Sequence, residues 1–114
     1  MIAVTSRAIV LLLLATIPAG PARAQGVIVE GRLDCGQWAA ARNLSDSSHY
    51  EHYLVGLLNG LVLGHQMEFW GAAPSSISRE AVYLWMDGYC RQNPLDQFVT
   101  GAVALYQERS GWRP

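Results

Sequence analysis

Residues 49–70 read HYEHYLVGLLNGLVLGHQMEFW, and this stretch decides the fold. With Tyr50 at zero and about 100 degrees per residue, Tyr53, Leu54, Leu57 and Leu61 fall on one face of a helix. His52, Asn59 and Gln66 fall on the opposite face at seven-residue spacing, as a solvated stripe does. No strand-like alternation competes with that period. The spacing predicts a helix from about His49 to Trp70, with Gly71 and the following Ala-Ala-Pro ending it. Asn43 to Ser48 (NLSDSS) is a polar loop that supplies its N-cap.

The flanking segments carry the same period. Upstream, Asp34 is placed to cap a short helix over Cys35 to Arg42. Downstream, Ser78 is an N-cap, with Glu80 in the first turn and Ile77 and Val82 at hydrophobic-staple positions. Val82, Trp85, Met86, Tyr89 and Cys90 then stand at i, i+3, i+4, i+7 and i+8, and the apolar run from Ala81 to Met86 predicts a central helix. Asn93-Pro94 breaks the chain. Asn93 as cap, Pro94 at the first helical position and Asp96 in the first turn predict another helix, with Leu95, Phe98, Val99, Ala102, Val103 and Tyr106 as its apolar stripe. Ser110-Gly111 ends it. The fold class is therefore all-α: a small orthogonal bundle of three main helices plus a short N-terminal helix.

The chain has 114 residues, 51% hydrophobic and 15% charged, which allows one small domain and excludes a disordered chain. Arg7, the apolar run Ala8 to Ile17 and the small-x-small end Ala22-Arg23-Ala24 form a secretory signal peptide over residues 1–24. Its apolar run is too short to span a bilayer of about 30 Å; an uncleaved anchor is the other reading. Residues 25–34 read as an extended arm, 35–110 as the helical domain and 111–114 as a tail. The expected location is the periplasm or the extracellular space, with no membrane attachment once the leader is cleaved. From Gln25 onward the chain keeps six Arg, nine Asp or Glu and no Lys, a formal charge of −3, and the scattered Arg argue against nucleic acid as a partner.

Both cysteines, Cys35 and Cys90, lie in the mature part. In an oxidising space two cysteines make one intramolecular disulfide. A redox-active pair would normally sit as Cys-x-x-Cys, and a zinc site would need two further ligands.

Gly56, Gly60 and Gly64 repeat every four residues beside the apolar face. Glycine inside a helix costs about 1 kcal/mol relative to Ala, so a close contact is expected to offset each. That contact is a tight crossing inside the monomer, a homodimer or partner seam, or a membrane helix pair; the short apolar window around Asn59 disfavours the last. His49 and His52 share one side of the long helix. His65 lies roughly 20 Å further along the axis, so one helix cannot gather all three on a metal. His65 with Glu68 has the i, i+3 spacing of carboxylate-bridged metal sites but lacks a second pair. Glu51, Glu68, Glu80, Asp87, Asp96 and Glu108 are dispersed and read as solvated helix-face charges. No Gly-x-Ser-x-Gly motif is present, and no free cysteine remains once the disulfide forms. No catalytic residue, cofactor or metal is therefore expected, and the chain is not expected to be an enzyme. Trp38, Trp70, Trp85 and Trp112 are many for this length; an exposed subset would suit anchoring a protein partner.

These residues resemble two exported families. Asp34-Cys35-Gly36-Gln37-Trp38, Ala81 to Cys90, Arg91-Gln92-Asn93 and Leu95 to Arg109 resemble the periplasmic HdeA-like acid-stress chaperones in organisation. That resemblance implies a client-holding role, in which acid neutralises the carboxylates while six Arg stay charged. Tyr53-Leu54-Val55-Gly56 through Gly60, with Gln92-Asn93-Pro94, resembles the periplasmic immunity proteins of type VI secretion (Rap/Tai-like), which implies inhibition of a toxin. A small-molecule or metal-binding module is the third expectation.

Overall fold

A computed structural model describes residues 32–114. The expected signal peptide and most of the expected arm lie outside the described residues. Four helices follow one another: α1 (Cys35–Asn43), α2 (Ser48–His65), α3 (Arg79–Gln92) and α4 (Phe98–Ser110). α1 lies against α3, α3 against α4, and α4 against α2. The fold is all-helical, as the periodicity predicts, and Cys35 and Cys90 form the expected disulfide between the start of α1 and the end of α3.

Local chemistry sets the helix ends. Asp34 Oδ1 accepts from the Gln37 amide at 2.8 Å, while Gln37 Oε1 accepts from the Asp34 amide at 2.9 Å, a reciprocal capping box. The last arm residues are tied to the segment before α4: the Cys35 amide donates to Asp96 O at 3.0 Å and the Phe98 amide to Leu33 O at 2.9 Å. The Ala81 amide donates to Ser78 Oγ, which caps α3 as predicted. Gly111, at φ 76°, closes α4 in the left-handed region that glycine enters at no steric cost.

Two boundaries differ from the expectation. α2 stops at His65, where Gln66 turns left-handed at φ 54°, and not near Gly71. The apolar pattern runs on because Phe69 folds back and is fully buried in the core, and Trp70 Nε1 returns to donate to Asn59 Oδ1 at 2.8 Å. Arg109 of α4 holds this loop, with Nε donating to Phe69 O at 3.0 Å and Nη2 to Ser75 O at 3.0 Å. Ser47 stands at the α2 N-cap position, but its hydroxyl donates to Glu51 and does not cap.

The other difference is at α4, which begins at Phe98. Asn93 finishes α3, its amide and its side chain both donating to Tyr89 O, and so it is not an α4 cap. Leu95 is left 95% exposed. The buried stripe is Phe98, Gly101, Ala102, Leu105 and Tyr106, with Val99 and Val103 only partly covered. Gly101 is the reason for the rotation. A Cβ there would stand 2.6 Å from Tyr89 Cδ1 and 3.1 Å from Met86 Sδ, so α3 and α4 cross at the one position without a side chain.

Candidate functional site

The most developed polar arrangement joins α1, α2 and α3. Arg42, in the last turn of α1, grips Asp87 of α3 with two parallel bonds: Nε to Oδ1 at 2.9 Å and Nη2 to Oδ2 at 2.7 Å. Its Nη1 reaches Glu51 of α2 at 2.9 Å, and Ser47 donates to the same Glu51 oxygen. The Trp38 indole donates to Asp87 Oδ1 at 2.8 Å, beneath an Arg42 guanidinium that lies 5.5 Å from its ring centroid. The planar fork matches a carboxylate bidentately, which fixes how α1 lies on α3. The Asp87 bond, working against partial burial, pushes the Arg42 guanidinium above its ordinary value. Burial likewise raises the Tyr83 phenol beside it.

Beside this network, α1 and α3 enclose an open recess of about 610 Å³. Its lining includes the Cys35–Cys90 disulfide, Trp38, Arg42, Asp87 and Arg91. α1 and α3 are pinned together at one end by the disulfide and at the other by Arg42–Asp87. Between the pins Trp38 turns into the core, and the exposed α1 residues on the recess are Gly36 and Ala39, too small to fill it.

These findings correct the reading of the acidic residues. Glu51 and Asp87 are not independent solvated charges; the fold gathers both on Arg42. Asp96 accepts from the Tyr89 hydroxyl at 2.5 Å, and Glu68 accepts from the Gly71 amide. Arg42 carries no sequence signal: 45 residues separate it from Asp87, so no local spacing reveals that pair.

The glycine repeat lies elsewhere than a monomer crossing would put it. Gly56, Gly60 and Gly64 are exposed, and a Cβ on any of them meets nothing within 4 Å among the described residues. The intramolecular crossing expected there is made instead by Gly101. Only Leu54 and Leu58 of α2 are fully buried, and Leu63 is 71% exposed. Tyr53, Leu57 and Leu61 pack at the core's edge. α2 is not long and apolar enough to cross a membrane, nor is any other helix among the described residues.

His49 and His52 are exposed, whereas His65 stacks on Trp112 with ring centroids 4.3 Å apart. Among the described residues no three metal-ligating side chains gather. The tryptophans are more covered than an exposed anchor requires: Trp38 is fully buried, and Trp70, Trp85 and Trp112 are partly buried against the core. Compared with known proteins, the chain finds no match among family models, curated proteins or solved structures.

Proposed function

We propose that this chain is an exported protein-binding domain, with a stress or client-holding role of the HdeA-like kind. The observation that carries the reading is the open face of α2. An 18-residue helix buries only Leu54 and Leu58 fully, while Leu63 and three glycines face outward. From Tyr53 to Gly64 that helix holds no Asp, Glu, Lys or Arg. A charge-free surface of that kind suits an apolar segment of another protein and costs little desolvation when covered. The disulfide fits an oxidising compartment.

Acid supplies a trigger. Arg42 lies against Trp38 and Tyr83 with Asp87 and Glu51 as its counter-ions, so weakening those two ion pairs leaves its charge uncompensated at the α1–α3 contact. α1 then loosens from α3, restrained by the disulfide. The test is aggregation of an acid-labile globular enzyme, followed by light scattering at pH 2 and pH 7. Suppression at pH 2, weakened by Leu63→Asp, supports the proposal. Unchanged scattering at both pH values, with no complex by size exclusion, overturns it.

A second reading, an immunity-type inhibitor, draws on the same face, because Gly56 and Gly60 stand open among the described residues without any rearrangement. It requires a stable complex with one toxin at neutral pH. A toxin gene beside this one, together with such a complex, selects it over client holding.

A further inference from the structure

The chain enters the domain along a fixed line. Arg32 is exposed, Leu33 is buried, Asp34 is exposed and Cys35 is buried, the alternation of an extended segment. Leu33 O accepts from the Phe98 amide at 2.9 Å, and Asp34 bridges Gln97 in the antiparallel sense. Antiparallel pairing gives the chain upstream of Leu33 the direction that residues 97 to 99 take, which is into α4. The bond to Phe98 anchors that upstream segment at the first turn of the helix.

A charge-free apolar seam runs in the same direction. α2 and α4 lie side by side in the same sense: the Tyr53 and Phe98 ring centroids are 6.0 Å apart, and those of His65 and Tyr106 are 5.5 Å apart. Tyr53 and Leu57 stand one turn apart on α2, packed at the core's edge and only half-buried. At about 100 degrees per residue, Val99 and Val103 stand beside Tyr106, on the side of α4 turned away from Gly101 and α3. Both are half-buried as well. Neither Tyr53 to Gly64 nor Phe98 to Gln107 contains Asp, Glu, Lys or Arg.

We propose that residues 27–31, which precede the described residues, lie as an extended strap along this seam between α2 and α4. Period-two alternation puts Gly31, Val29 and Val27 on the side of buried Leu33, and Arg32, Glu30 and Ile28 on the other. Two β-branched side chains thus face Leu57, Val99 and Val103, while the two charges face water. The lengths match. Val27 stands six residues upstream of Leu33, about 20 Å at the rise of an extended chain. Tyr53 to Gly64 covers about 16 Å of helix. Because Leu33 tethers the segment at one end of the seam, the strap meets it at a far higher effective concentration than a free partner does. Gly56, Gly60 and Leu63 lie further round α2 and stay open beside the strap, so the proposal does not depend on the client-holding reading.

The experiment is methyl NMR on the secreted, disulfide-bonded chain, with Tm measured on two variants. Nuclear Overhauser contacts are expected from the Val27 and Val29 methyls to those of Leu57, Val99 and Val103, within one molecule. Val29→Asp is expected to remove them and to lower Tm by more than about 4 °C, the loss that follows from exposing one buried valine in a domain of this size. Ile28→Asp, on the opposite side of the strap, is expected to leave both unchanged. Neither substitution touches the four helices, and no client protein enters the measurement. The proposal is overturned by the absence of these contacts, or by Ile28→Asp costing as much as Val29→Asp. It is also overturned by contacts that appear only between molecules in a mixed-label sample, which would make a second copy the occupant, or by a secreted form that lacks residues 27–31.

Discussion

Alanine placed at Gly60 and at Gly101 should move stability in opposite directions. Both glycines are inside helices, and helix propensity alone favours Ala at each by about 1 kcal/mol. At Gly60 a Cβ meets nothing within 4 Å among the described residues. Gly60→Ala should therefore stabilise by up to about 1 kcal/mol. At Gly101 the new Cβ would sit 2.6 Å from Tyr89 Cδ1 and 2.7 Å from Cε1. Ordinary carbon contacts lie near 3.5–4.0 Å, so the ring must retreat by about 1 Å. It is poorly placed to do so. Trp85 stacks on it at 5.5 Å, and its hydroxyl is bonded to Asp96. Overpacking of this kind costs roughly 1–3 kcal/mol. A strained or lost bond to a carboxylate adds to that. The net effect at Gly101 is a destabilisation of about 1–2 kcal/mol after the propensity gain. For a domain of this size 1 kcal/mol shifts Tm by roughly 4–8 °C, so thermal and urea unfolding at pH 7, with the disulfide intact, resolve the two variants easily. A Gly101→Ala variant as stable as wild type would refute the crossing argument. A Gly60→Ala variant that loses stability would mean the α2 face is covered in the isolated protein, and a concentration dependence of Tm would identify a second copy as the cover.

Two other perturbations follow from the same geometry. Cys35→Ser with Cys90→Ser removes a cross-link spanning 55 residues, whose loop-closure entropy is worth about 4 kcal/mol; circular dichroism should show the variant largely melted or melting far below wild type, and a loss under about 1 kcal/mol would contradict that estimate. The Tyr89 phenol is pushed up to about 12, first by its bond to Asp96 and then by burial. A raised folded-state value favours the neutral form. The contribution of Tyr89 to stability should therefore be constant up to the ordinary tyrosine value near 10 and be lost between there and about 12. Tyr89→Phe should weaken that loss, and an unchanged pH profile in the variant would show that another group causes it.

The helices were legible because their signals are local. Asp34 with Gln37, Ser78 with Ala81, and Gly111 after Ser110 act within one turn, and the 3.6-residue period of the apolar positions needs no partner to be read. Where a signal depended on a distant contact, the reading failed. The apolar run through Phe69 looked like more helix, but a side chain buried after a turn leaves the same pattern as one buried within a helix. Leu95 fitted the α4 stripe and is solvent-exposed, because the Asp96 carbonyl is needed by Cys35 and the Phe98 amide by Leu33. The glycines show the limit most clearly. Six described glycines sit in helices, and only docking α3 on α4 puts Gly101, and not Gly60, against a neighbouring ring.

Sequence alone thus determined the all-helical class, the caps at Asp34 and Ser78 and, through the count of two cysteines, the disulfide pairing, since each is set by near neighbours or by arithmetic. Tertiary structure decided that Arg42 collects Asp87 and Glu51, that Gly101 carries the α3–α4 crossing, and that α2 keeps an open face among the described residues. Those features are sums over contacts between residues far apart in the chain, and such contacts exist only once the helices have chosen their neighbours.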